Sequence, residues 1–247
     1  MTRGVCVADW RYCALTDRGI KRKHNEDAVV AVPAIGLWAV ADGMGGHEAG
    51  DVASSMVTAA LSRVARPDNF SVFVDQVEDA LNAVNQTLRD HATREFEGRV
   101  MGATVVVMLA AEGYGACLWA GDSRLYRLRG EELEQISRDH SQVQRLVDAG
   151  LLSEDEAENH PNANVITRAV GGSAHLVVDV VMFDITPGDR FLLCSDGLYN
   201  EVSREDIRDT LMAGTVDASA QSLIDGAIAA GARDNVSVIV VSAEVSA

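Results

Sequence analysis

The sequence predicts an α+β fold solved as packed layers, with antiparallel sheets. Three observations point there. Apolar, β-branched runs of strand length recur at about residues 28–32, 36–41, 103–110, 115–120, 124–129, 176–183, 190–195 and 236–242. The longer helical patterns come as pairs, one pair after the second run and one before the last, so the strict βαβ alternation of a doubly wound sheet is missing. The central runs follow each other at hairpin distance, which favours antiparallel pairing.

Taken in order, the first helical stretch repeats Val52, Met56, Ala59, Ala60 and Val64 and is followed by Pro67. The second repeats Val74, Val77, Leu81, Val84 and Leu88. Near the carboxyl end, helices are expected over Asp206–Met212 and Ala218–Ala230, with Gly231 as the cap of the latter. Residues 137–172 break the rhythm. They hold a short helical pattern (Val143, Leu146, Val147, Leu151), an acidic patch (Glu154, Asp155, Glu156, Glu158) and His160-Pro161, and read as a surface excursion or flap beside a site. Among 247 residues only four are proline and no linker or repeat interrupts them, so one domain over 1–247 is expected. Hydrophobic content of 47% is enough to build a core without disulfide staples.

A formal charge of −16 repels nucleic-acid phosphates and anionic lipid, which excludes a general nucleic-acid binder. No signal-peptide core opens the sequence, and its longest apolar runs are far shorter than the ~20 residues that span a bilayer. A cytoplasmic protein without membrane attachment is expected, with a monomer as the default state. Cys6, Cys13, Cys117 and Cys194 form no metal-binding spacing and suit reduced thiols. A cysteine phosphatase would carry Arg six positions after its nucleophile. Those positions hold Tyr12, Gly19, Ser123 and Asn200, so that chemistry is excluded.

The carboxylates carry the functional signal. Three apolar runs end in Asp beside Gly: Leu37–Gly43 with Asp42, Cys117–Asp122, and Phe191–Gly197 with Asp196. Asp234 stands just before the last run, and Glu26-Asp27 just before the first. One Asp-Gly is ordinary turn chemistry, but several at strand ends deliver rigid carboxylates to one rim, where Gly allows backbone or ligand to come close. Converging carboxylates need cations, and hard oxygen donors select Mg²⁺, Mn²⁺ or Ca²⁺ over zinc. Two such ions ~3.5–4 Å apart acidify water and aim it in line at phosphorus. Lys21-Arg22-Lys23 supplies a local cation in an acidic chain, and the planar fork of Arg22 suits two phosphate oxygens. A calcium-binding structural domain would need a compact D-x-D-x-D-G loop, which is absent.

These residues resemble the PPM family, the type 2C metal-dependent protein Ser/Thr phosphatases, in their compact bacterial form. The resemblance runs through Thr16-Asp17-Arg18-Gly19, Arg22–Asp27, Ala41–His47, Gly102-Ala103-Thr104, Ala120–Tyr126, Asn164–Gly171, Cys194–Leu198 and Arg233–Ser237, in family order from about residue 12 to 242. It implies a four-layer α/β/β/α sandwich of two antiparallel sheets flanked by helix pairs. It implies two catalytic ions, Mn²⁺ or Mg²⁺, bridged by Asp42 and contacted by the carbonyl of Gly43. Asp196 and Asp234 complete one shell, while Glu26, supported by Asp27, serves the other ion. Asp122 with Asp196 would hold a third ion near the flap, and Arg22 would grip the substrate phosphate. Phosphorylated proteins are the implied partners, with a cognate Ser/Thr kinase as the opposing enzyme. One departure stands out: Met44 occupies the place where animal-type members carry a His, which leaves His47 as the nearest candidate acid for the leaving oxygen. The alternative reading is a catalytically inactive member serving as a scaffold. Retention of Arg22, Asp42, Asp196 and Asp234 argues against it.

Overall fold

A computed structural model describes residues 10–45, 49–95, 101–111, 113–158 and 160–243. Two antiparallel sheets face one another. The first has the order β1-β11-β10-β7-β8, formed by β1 (Trp10–Asp17), β7 (Arg124–Arg129), β8 (Glu132–Gln135), β10 (Arg190–Cys194) and β11 (Val236–Ala243). The second has the order β2-β3-β5-β6-β9, formed by β2 (Asp27–Val32), β3 (Leu37–Met44), β5 (Val105–Ala111), β6 (Tyr114–Ala120) and β9 (Asp179–Asp184), with the short β4 (Gly102–Ala103) beside β3. Helices α1 (Ala49–Leu61) and α2 (Phe70–Glu95) cover the second sheet, and α6 (Arg204–Met212) and α7 (Val216–Ala230) cover the first.

This layering explains why the strands read as unbroken apolar runs. Each central strand is buried on both faces, so alternation distributes its side chains between two cores. In β3, Leu37, Ala39 and Ala41 meet α1 and α2, while Trp38 and Val40 point between the sheets. In β11, Val236, Val238 and Val240 meet α6 and α7, while Ile239 and Val241 join Trp38, Phe191 and Leu193 in the middle. Three apolar layers thus lie between four structural ones, as expected.

Two strands escape the apolar-run reading. β1 is an edge strand with polar or charged Arg11, Thr16 and Asp17, and it owes its place to an eight-residue ladder with β11, from Trp10↔Ala243 to Asp17↔Val236. β8 buries only Leu133. Helices also begin earlier than their apolar spacing because polar caps extend them. Ser203 accepts from the Asp206 N–H to open α6, Thr215 does the same for Ala218 in α7, and Gly231 closes α7. The excursion at 137–172 contains α3 (Gln142–Asp148) and α4 (Glu154–Glu158). The remaining short helix, α5 (Asp196–Tyr199), follows β10 directly. Among the described residues no helix is long and apolar enough to cross a membrane.

Candidate active site

Antiparallel neighbours reverse direction, so the ends of β3, β6 and β10 and the starts of β2 and β11 share one end of the sandwich. That end collects the carboxylates. Asp27 and Asp42 are direct register partners across β2 and β3. Asp196 opens α5 immediately beyond β10, and Asp234 lies two residues before β11. Asp122 follows β6 by one glycine.

Their electrostatics show that they share a site. Burial first, then the charges of Asp27, Asp196, Asp122 and Asp234, push the Asp42 carboxyl well above its ordinary range. Asp196 rises to about 8, through burial and then through Asp122, Asp234 and Asp27. Asp122 rises to about 7 from burial and Asp139, and Asp27 to about 6 from burial, against the hydroxyls that favour its ionised form.

The two sheets are tied together at this end. Ser195 and Ser237, from the first sheet, donate their hydroxyls at 2.8 and 2.7 Å to Oδ2 of Asp27, from the second. The Ser237 N–H donates to Ser195 Oγ at 3.0 Å, which completes the link. Asn235 organises the facing loop: its Oδ1 accepts from the Glu26 N–H at 2.8 Å, and its Nδ2 donates to the carbonyls of Arg18 and His24 at 2.8 and 2.9 Å. Neither serines nor Asn235 were assigned a role from sequence, because their partners lie up to 217 positions away. Asn235→Ala orphans three backbone groups. We expect urea denaturation to report a loss of about 2–3 kcal/mol.

The glycines beside Asp42 and Asp196 prove to serve backbone contacts. A Cβ on Gly43 would lie 2.1 Å from the Gly50 carbonyl oxygen and 2.5 Å from that of Glu26. One on Gly197 would lie 2.0 Å from the Asn235 carbonyl oxygen. Main chains thus press together where the carboxylates emerge.

The other expected residues are placed as follows. Glu26 is half-buried, with its carboxylate against Gly50 at the start of α1. Arg22 is half exposed, and its Nη2 donates to Oδ2 of Asp234 at 2.6 Å, so the guanidinium sits on a carboxylate of the site. The Asp122 carbonyl accepts from the Tyr199 hydroxyl at 3.0 Å, and Arg124 lies 3.5 Å over the Tyr199 ring. His47 lies outside the described residues.

The donor set fits hard divalent cations. Asp27 Oδ1 and Asp196 Oδ1 are buried without a hydrogen-bond partner among the described residues, and such oxygens need a proton or a cation. Among the described residues the cysteine nearest this rim, Cys194, is buried with its thiol pushed up to about 12, so it supplies neither a thiolate ligand nor a nucleophile. Among the described residues no three side chains stand in a ready-made ligand cage. The carboxylates neighbour one another without closing, with Arg22 drawn onto Asp234.

Comparison with known proteins gives one answer. The family described as protein phosphatase 2C matches residues 20–227. The serine/threonine protein phosphatase PstP of Mycobacterium tuberculosis is 40% identical over 230 residues, which is 93% of this chain and 44% of PstP. The chain therefore spans less than half the length of that relative. Among solved structures, PppA, a key regulatory component of T6SS in Pseudomonas aeruginosa, matches with a TM-score of 0.89 at 42% identity, covering 96% of this chain and 99% of PppA. The catalytic domain of PstP in complex with two manganese ions matches at 0.85 and 38% identity, covering 94% and 97%. Motifs, layers and whole-chain likeness agree: the chain belongs to the protein phosphatase 2C family.

Proposed function

We propose that this chain hydrolyses phosphoserine and phosphothreonine in proteins, with Mn²⁺ or Mg²⁺ as its cofactor. One observation carries the reading: aspartates from both sheets meet at one rim, where burial first and then neighbouring carboxylates disfavour their ionised forms. These carboxylates would ionise together on binding two divalent ions, whose chemistry when bound would be to acidify water for attack on phosphorus. Asp42, the Gly43 carbonyl, Asp196, Asp234 and Glu26 would hold those ions. Asp27 supports them while tying the sheets, and Asp122 with Asp196 would hold a third. Arg22 stands at the mouth, exposed enough to exchange Asp234 for two phosphate oxygens.

The deciding test is turnover of a phosphothreonine peptide with Mn²⁺ and with excess chelator. Activity that depends on the metal and survives inhibitors of other phosphatase classes is expected, and full turnover in chelator overturns the reading. Arg22→Ala removes a phosphate contact made before as well as during reaction. We expect KM to rise about tenfold with kcat changed by less than threefold, and a variant altered only in kcat would end the role given to Arg22.

The substrates are phosphoproteins, and a Ser/Thr kinase supplies them. The likeness to PstP, a serine/threonine protein phosphatase by name, supports phosphoprotein substrates; the opposing kinase and a cytoplasmic monomer as the working form belong to the proposal. Phosphoproteomics of cells with and without the protein identifies the targets.

A further inference from the structure

The excursion beside the site is held by little apolar burial. Between Ser137 and Thr167 only Val143 and Ala157 are buried apolar side chains among the described residues. A cavity of about 140 Å³, lined in part by Arg138, Gln144, Arg145 and Arg168, lies at its base. Beyond Thr167 the excursion is anchored by buried Ala169 and Val170 and by paired main-chain bonds between Val170 and Ala103, so polar links set where the stretch before it sits, and several of them meet at His140.

His140 is buried, at 8% exposure. Its N–H donates to the Gly121 carbonyl at 2.9 Å, and the Gly121 N–H donates back to the ring Nδ1 at 3.1 Å. Gly121 immediately precedes Asp122. The His140 carbonyl accepts from the Thr167 N–H and hydroxyl at 2.6 and 3.1 Å, which secures the returning end of the excursion. On the far side, Nε2 is 3.1 Å from Oδ2 of Asp179 in β9. The ring stacks on Trp119, with centroids 5.8 Å apart, and the Trp119 indole donates to the Arg138 carbonyl at 2.7 Å.

These contacts determine the tautomer. Nδ1 accepts from Gly121 and so carries no proton, which places the ring proton on Nε2, facing Asp179. Arg168, 3.2 Å from Nε2, is held by its own bond to Asp179 at 2.5 Å. Burial, the largest influence on the ring, favours this neutral form.

We propose that His140 is a positioning residue: its Nε2-protonated imidazole sets the turn that presents Asp122 and couples that turn to both ends of the 137–172 excursion. The proposal rests on the reading of Asp122 as part of the site. It does not touch substrate; it acts through Gly121 and Thr167.

Two variants separate the ring nitrogens. His140→Asn keeps an acceptor near the place of Nδ1, whereas His140→Gln abandons Gly121 and keeps a donor for Asp179. Hydrogen exchange over residues 117–126 of the metal-free proteins gives a readout independent of turnover. In His140→Gln we expect the Gly121–Asp122 amides to exchange at least tenfold faster, and the Mn²⁺ needed for half-maximal phosphopeptide turnover to rise at least tenfold. His140→Asn should stay within threefold of the parent on both. Parent-like exchange and Mn²⁺ dependence in His140→Gln overturn the proposal. Should that variant not fold, the ¹⁵N spectrum of the parent imidazole at pH 7 decides instead: an Nε2-protonated neutral ring supports the role, and a proton on Nδ1 ends it. A parent protein without phosphatase activity defeats the functional reading, while the exchange comparison still judges His140.

Discussion

Asp42→Asn should abolish turnover, by on the order of 10³-fold or more, and leave the metal-free protein at least as stable as the parent. The two halves have one cause. Asp42 is the carboxyl on which burial and four neighbouring aspartates bear, so its charge disfavours the folded state until cations are present. An amide of the same shape removes that repulsion and keeps the main-chain bonds, including the Thr104 N–H on the Asp42 carbonyl at 2.8 Å. It also removes the anionic oxygens through which divalent ions would be shared, and with them the activated water. Phosphopeptide turnover and urea denaturation measured together are the check. Loss of activity accompanied by loss of fold would show that Asp42 is structural.

The second large effect is a reversal of the pH dependence of stability by metal. Asp27, Asp122 and Asp196 have folded-state values of about 6, 7 and 8, against about 3.9 in an unfolded chain. The folded protein therefore holds protons that the unfolded chain has released. The stability this contributes is present below pH ~4 and is lost as pH rises through about 6 to 8. In chelator, the melting temperature should fall between pH 6 and pH 8.5. With Mn²⁺ at 1,000 times its Kd, binding adds about 4 kcal/mol per site, an increase on the order of 10 °C for a chain this size. At a fixed Mn²⁺ concentration that gain should be larger at pH 8.5, where Kd is lower because fewer protons must be displaced. A melting temperature in chelator that is flat across this range would mean that the folded protein does not hold these aspartates protonated.

What the sequence disclosed follows from the physics of each feature. Asp42, Asp122 and Asp196 were legible because each terminates a strand buried on both faces, and a continuous apolar run stopping at an acid is a local signal. The layer order was legible for the same reason. β1 was not, since an edge strand with Arg11 and Asp17 has no run to detect and depends on a partner more than 200 residues away. Ser195, Ser237 and Asn235 were hidden in the same way: small polar residues acquire their roles only when two sheets bring distant backbone groups to them. The glycines were legible, because an Asp-Gly at a strand end signals close approach of backbone or ligand. Of those two alternatives the structure shows backbone, the protein's own carbonyls pressing on Gly43 and Gly197.

The ladder between β1 and β11 has a consequence for architecture. Trp10 and Ala243 are partners at one end of it, and Asp17 and Val236 at the other, beside the aspartates. Seven residues of strand, roughly 24 Å, separate the two ends. Trp10 and Ala243 therefore lie side by side at the rim opposite the aspartates.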